Sequence, residues 1–392
     1  MTGSHWRNIK LPLLGILVLL TLLLRGISAS SVYFVDGPLH VAAIERGTLI
    51  IHPPGYFFFN VLGLIVSKAL HCSAADALQW INIGFSVAAV AVFYLLVSRV
   101  LSNQSSAFWL SLAYACSPIV WFSAEIHSTY AAMTFFAPLL ILLVEAEERF
   151  VWGCVVWALM MGFRPSDGIF VLPWMLYQSI RFSWSRRIVG AFAALMITAL
   201  WWVPTAVRLG GGLLGPASSS YAQVDSLAQG ILAGGFTIHA VVNAIHTIAG
   251  TIVSWGLLMP AVVLGAVSLT PKNRVARSMV VFAAPGLLFF LLYFFSDGTY
   301  FAYAIAAGMI LAGLFLEQKN TAVQRVCFAT AIATSLLFMF TARPSDKPSK
   351  SRAIVDAYFV RFSVPSIKQH RARRLAELLG ACHDSTIRGG CR

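Results

Sequence analysis

Residues 33–60, YFVDGPLHVAAIERGTLIIHPPGYFFFN, gather Asp36, His40, Glu45, Arg46 and His52 in a chain otherwise poor in charge. A carboxylate beside water can take the proton from a hydroxyl as that hydroxyl attacks an electrophile. Arginine and histidine suit an oxygen on which negative charge is growing, such as a departing phosphate. The same residue types recur as Glu125 and His127 in SAEIHSTY (123–130), Arg164 and Asp167 in GFRPSDGIFVLPWMLY (162–177), Arg208 in WWVPTAVRLGGG (201–212), and Asp297.

The elements that must carry these groups are set by composition. The chain has 392 residues, 58% hydrophobic and 11% charged, with mean hydropathy +0.78. Soluble domains carry about 25% charged residues, so this is a polytopic membrane protein of all-α class. The net charge of +13 comes from Lys and Arg in short clusters between apolar runs and in the tail. That is a pattern of membrane orientation, and it argues against nucleic acid as a partner.

Apolar runs of about 20 residues mark crossing helices. They fall near 10–28, 78–98, 106–123, 129–146, 150–163, 168–182, 189–207, 241–268, 278–295, 299–316 and 321–341, eleven in all. SAS at 28–30 resembles a signal cleavage site, but Arg25 beside it argues for a retained helix. The run 54–71 could also span. If it did, Arg99, Arg186–Arg187 and the Lys272/Arg274/Arg277 cluster would all face outward, against the loop-charge rule. We therefore read 54–71 as an interfacial or re-entrant helix inside one long extracytoplasmic loop, 29–77. Residues 1–341 then form the membrane domain, and 342–392 a basic tail placed outside by helix parity. The tail's eleven Lys and Arg pull against that placement. Asn103-Gln-Ser falls on the inner side and reads as a chance sequon.

With this topology Asp36, His40, Glu45, Arg46, His52, Glu125, His127, Arg164, Asp167, Arg208 and Asp297 all fall at or beyond the outer helix ends, which points to a site assembled there from several helices. Each also has a purely structural reading. Asp36 ahead of Pro38 suits a helix N-cap; Arg164 can simply pair with Asp167; Glu125 and His127 can form a solvated turn. His52, before two prolines, can merely bond its loop. Arg208 can anchor at the interface, although the glycines after it suit a movable loop. Tyr56 and Phe57–Phe59 fit an aromatic belt or a groove for an isoprenoid chain. His239 and His246 share a helix face, but two histidines without a carboxylate make a poor metal site.

Taken in order, the Asp36-Gly pair, a short helix, HPPGY (52–56), SAEIHSTY, the Arg-Pro turn at 164 and WWVPTAVRLGGG resemble the GT-C superfamily of integral-membrane glycosyltransferases. The protein O-mannosyltransferase-like and aminoarabinose-transferase-like branches are the most similar, over roughly residues 10–320. The resemblance implies inverting transfer of a hexose or pentose from a polyprenyl-phosphate carrier to an extracytoplasmic acceptor, which is a lipid, glycan or protein. It makes Asp36 the general base and puts the enzyme in a bacterial inner membrane. His40, His52, Tyr56, Glu125, His127, Arg164 and Arg208 become donor- or acceptor-binding residues. Many relatives carry a second acid beside the first; here Gly37 and Pro38 follow, and Glu125 is the candidate partner. No cofactor is implied, and a divalent metal stays open.

Two rivals fit the same composition: a flippase or transporter for a lipid-linked glycan, and a ligase or polymerase using a diphosphate carrier. A transporter should show an inverted repeat or acids in mid-span, and neither is evident. A ligase would call for a larger outer loop rich in Arg and His.

Cys116, Cys154 and Cys327 lie in apolar runs and read as packing residues. Cys382 and Cys391 flank HDSTIRGG in the polar tail, where the outside placement permits oxidation. We expect a disulfide between them, contributing about 2–3 kcal/mol at most. Peptide mapping without reductant should recover the linked pair; two freely alkylated thiols would reject it.

Overall fold

The computed structural model describes residues 10–28, 36–51, 55–145, 149–294 and 298–341. His52, Asp297, Cys382, Cys391 and the rest of the tail lie outside the described residues. Within them the regular structure is helical. The first part comprises α1 (Leu11–Ser28), α2 (Gly37–Glu45), α3 (Phe57–Leu70), α4 (Ala74–Val100), α5 (Gln104–Cys116), α6 (Pro118–Glu125), α7 (Tyr130–Glu145) and α8 (Phe150–Phe163). Next come α9 (Pro165–Ser179), α10 (Trp184–Leu209), α11 (Gly215–Ser226), α12 (Ile231–Gly234) and α13 (Ile238–Trp255). The chain continues with α14 (Met259–Leu269), α15 (Arg274–Leu292), α16 (Ile305–Glu317) and α17 (Thr321–Thr341).

Local chemistry accounts for the boundaries. Ser73, Ser183 and Thr237 accept a backbone N–H three residues on and so cap α4, α10 and α13. Asn103 caps α5 by accepting the N–H two residues on, and Asn273 caps α15 by accepting those two and three residues on. Pro118 has no N–H to continue α5, and the chain bends by 49° into α6. Gly256, at φ 55°, breaks the 241–268 run into α13 and α14. The 299–316 run begins as a 3-10 turn, Gly298–Phe301, before α16.

Each of the eleven apolar runs therefore coincides with a helix or a broken pair. Five of these helices are long and apolar enough to cross a membrane, or six counting the bent α5–α6 pair; others, such as α1, α7, α8 and α16, are shorter apolar helices. The core sits around α4, α5 and α7, and Phe93 of α4 stacks on Tyr114 of α5 at 4.2 Å. α10 lies outside it, packed on α8. Gly162 allows the crossing of α8 with α3 and α10, since a Cβ there would sit 2.1 Å from Phe58 and 2.9 Å from Trp201.

One end of the bundle is basic and tied by carboxylates. Glu145, at the end of α7, accepts from Gln178 (3.0 Å) and Ser278 (2.9 Å) and pairs with Arg181 (3.4 Å) and Arg274 (3.3 Å). Glu317 accepts from the Ser102 N–H (2.6 Å) and the Asn103 N–H (3.0 Å). Arg99, Arg186–Arg187 and Lys272 lie on helix ends or turns of this same side.

α3 behaves differently. It starts at Tyr56, beside the α8–α9 turn, and finishes just before α4, whose first turn meets the α6–α7 turn at His127. Both of its ends therefore lie at the end opposite Glu145. In a Cys72→Ser background, cysteines replacing Arg46 and Lys68 should react with an impermeant maleimide from one side of the membrane, and one replacing Arg186 from the other. Labelling of 46 and 68 from opposite sides would mean that α3 crosses.

Candidate active site

Asp36 sits immediately before α2, half-buried, and its side chain makes no capping hydrogen bond. The capping role that its sequence context suggests is thus not taken up. α2 is fixed to α3 through His40, which is buried, with Nδ1 2.7 Å from Asn60 Oδ1. The Asn60 amide nitrogen donates to the Leu49 carbonyl (2.9 Å). That leaves Oδ1 as the acceptor and assigns the proton to His40 Nδ1. The imidazole also stands edge-on to Phe59 (4.9 Å) and Tyr56 (5.6 Å). His40 therefore props the loop that carries Asp36 and Tyr56.

Between α2 and α3 the backbone is strained. Leu49 and Tyr56 take φ of 60° and 52°, and Gly55 takes 109°. Left-handed conformations at non-glycine residues are costly and persist only where surroundings impose them. Here Gly55 presses on α10: a Cβ at that position would lie 2.9 Å from Thr205 Cγ2.

The strained turn aims Tyr56 at Arg164, the single residue between α8 and α9. Arg164 Nε donates to Asp167 Oδ1 at 3.0 Å, and the pair is almost wholly buried. The guanidinium carbon lies 4.5 Å from the ring of Tyr130, 5.2 Å from Tyr300 and 5.8 Å from Tyr56. Asp167 also accepts from Ser166 Oγ (3.1 Å), while its Oδ2 has no partner among the described residues. Burial raises the Tyr56 phenol above its ordinary pKa; Arg164 opposes this, and the nearby Asp36 and Asp167 carboxylates add to it. Tyr56 is thus a neutral phenol, hydrogen-bonded to Arg164 and within the electrostatic reach of Asp36.

The second acidic turn is built by α4. Gln79 Nε2 donates to the Ala124 carbonyl at 2.7 Å, and Asn82 Nδ2 to the carbonyls of Ile126 and Ser128, the latter at 3.1 Å. These bonds fix Glu125, buried at the end of α6, and His127. His127 points towards the start of α4. Burial lowers its pKa, opposed by a bond with the Ala75 backbone and the charge of Asp76. It is therefore a neutral imidazole. Tyr130 then opens α7 and reaches Arg164, so the two turns meet.

Asp36, Tyr56, Arg164 and Asp167 thus come together, with Glu125 on the adjoining turn. Arg208 is exposed one helical turn beyond Thr205, on the same flank as Gly55. His239 and His246 lie on α13, and no group of three or more potential ligands from His, Cys, Asp and Glu occurs among the described residues. Sequence reasoning missed Tyr130 and Tyr300. Both adjoin flagged segments, Tyr130 as the last letter of SAEIHSTY and Tyr300 three residues after Asp297.

Removing one partner of a buried ion pair leaves an uncompensated charge. Asp167→Leu should therefore destabilise the protein by about 3 kcal/mol or more. The double variant Arg164→Met/Asp167→Leu should regain most of it. Thermal unfolding in detergent checks both, and a double variant no more stable than the single one would mean that the pair is not the source of the loss.

No family model and no curated protein matches the chain. Among solved structures, ArnT from Cupriavidus metallidurans bound to undecaprenyl phosphate is similar with a TM-score of 0.63 at 14% identity, covering 97% of this chain and 73% of ArnT. Its apo state gives 0.61 at 13% identity, covering 94% and 72%. Identity at this level speaks for the fold: the chain is a polytopic membrane protein built on the GT-C fold that ArnT has.

Proposed function

We propose that this chain is an inverting glycosyltransferase that moves a hexose or pentose from a polyprenyl-phosphate carrier to an acceptor outside the cytoplasm. The observation that carries the reading is Asp36. On a GT-C fold, its carboxylate is not engaged in capping α2 and lies beside the Tyr56–Arg164–Asp167 cluster. The structure of ArnT with undecaprenyl phosphate supports a carrier of that class.

In this reaction the acceptor oxygen attacks the anomeric carbon as the bond from that carbon to the phosphate oxygen breaks. The carrier leaves with the electron pair as polyprenyl phosphate. The acceptor's proton passes to the Asp36 carboxylate, so one base suffices and charge balances. Negative charge grows on the departing phosphate, and cations held nearby lower the barrier. Arg208 and His52 are the candidate contacts for that phosphate. Arg164 sets the field at the site and holds the Tyr56 phenol as a donor for a sugar or phosphate oxygen. Glu125 is the candidate partner acid on the adjoining turn.

The end that carries Asp36 is read as extracytoplasmic because the Lys- and Arg-rich turns lie at the other end. Nucleotide sugars are cytoplasmic, so a donor on the outer face has to come on a lipid. A bacterial inner membrane is the setting that fits.

Asp36→Asn should lower transfer from polyprenyl-phosphate sugars by about 100-fold or more, the usual worth of a general base. Expression and thermal stability should stay near wild type. Turnover within a few-fold of wild type would remove Asp36 as the base.

A further inference from the structure

We infer that the segment joining α10 to α13 is seated in the headgroup–acyl boundary of the membrane, with a lipid surface as the partner of its exposed apolar side chains. Residues 210–237 contain one charged side chain, Asp225, and that carboxylate accepts a bond from the Tyr293 hydroxyl at 3.0 Å. Yet Leu213, Leu214, Leu232 and Phe236 are 65%, 76%, 70% and 84% exposed. A connecting loop in water keeps polar groups outward; clustered large apolar groups without charge mark a surface covered by something apolar.

The occupant follows from what flanks the segment. α10 before it, and α13–α14 after it, are each long and apolar enough to cross a membrane. The segment therefore leaves and re-enters the bilayer surface at the same end. Its exposed apolar groups continue those of the helices on either side, from Val203 and Val207 on α10 to Ile238 and Ile245 on α13. Gly210, Gly211 and Gly212, all at φ near +70°, turn the chain away from the α10 axis, as β-carbon-free residues can. Two ties then hold it to the helices. Trp202 Nε1 donates to the Leu213 carbonyl (2.8 Å), and the N–H groups of Gln229 (3.0 Å) and Gly230 (2.8 Å) donate to the Tyr293 carbonyl. On α11 the exposed groups include Ser218, Asp225 and Ser226, which suit the water side.

This inference needs only the membrane character of the chain and does not depend on the sugar-transfer reading. Single cysteines at 214, 232, 236 and 218, in a variant whose native cysteines are replaced, would be spin-labelled in phosphatidylglycerol–phosphatidylethanolamine vesicles. Collision rates with oxygen, which concentrates in acyl chains, and with a water-soluble nickel chelate are then compared. Labels at 214, 232 and 236 should show oxygen-to-chelate ratios several-fold above the label at 218. Ratios equal to that at 218 would overturn the proposal and put the segment in water. Protection from both reagents with spin–spin broadening would also overturn it, by showing that a second copy of the chain covers the patch.

Discussion

A guanidinium withdrawn from water sets the terms for the whole end of the bundle opposite Glu145. The effective penalty for burying an ion is several kcal/mol, and Arg164 meets it with one carboxylate and three tyrosine rings. Those partners come from the α2–α3 loop, the start of α7, the first turn of α9 and the turn before α16. Four segments remote in sequence are thereby drawn to one point. The strained backbone at Tyr56 belongs to the same arrangement, since its left-handed φ turns the phenol onto the arginine. Such strain persists where the neighbours over-determine it, and Thr205 against Gly55 supplies the other side of the vice.

Elsewhere the buried polar groups gather at breaks in helices, for a shared reason. A carbonyl left without its helical donor is expensive where water is absent. At the Ser117–Pro118 break, Arg25 donates to the Ala115 carbonyl at 2.6 Å and to Ser86 at 3.0 Å, and its guanidinium lies 4.9 Å from the Trp121 ring. Gln79 and Asn82 do the same service for the turn after α6. Both ends of α6 are therefore held by side chains of other helices, and Glu125 inherits its position from them. At the basic end, Glu145 and Glu317 join helix ends to neighbouring turns and helices by accepting several donors each.

The chemistry proposed for Asp36 depends on this scaffolding at one remove. His40 fixes α2 to α3 through Asn60, so the carboxylate before α2 and the phenol before α3 move as one unit. A base must stand within hydrogen-bond reach of its proton before its pKa matters. A loop braced by a buried histidine and a glycine packed on α10 is a reasonable way to hold it there.

Much was legible beforehand. Apolar length and low charge dictate helices, because a bilayer leaves no other way to satisfy the backbone, and each of the eleven apolar runs falls on a helix or a broken helical pair. Asp36, Arg164 and Asp167 stood out because ionisable positions are rare in such a chain, and Tyr56 as the last letter of HPPGY. Tertiary structure alone decided how they are used. Sequence left Arg164 between pairing and phosphate contact; in the fold it is buried and pairs with Asp167. His40, a candidate ligand-binding residue, is bonded to Asn60 through Nδ1, a pairing that its place in the sequence did not announce. Tyr130 and Tyr300 could not be separated from ordinary interfacial aromatics, since only the approach of their rings to one buried cation distinguishes them. Hydropathy is a property of single segments and can be read along the chain. A buried charge is compensated by whatever surrounds it in space, so its partners are known only once the helices have packed.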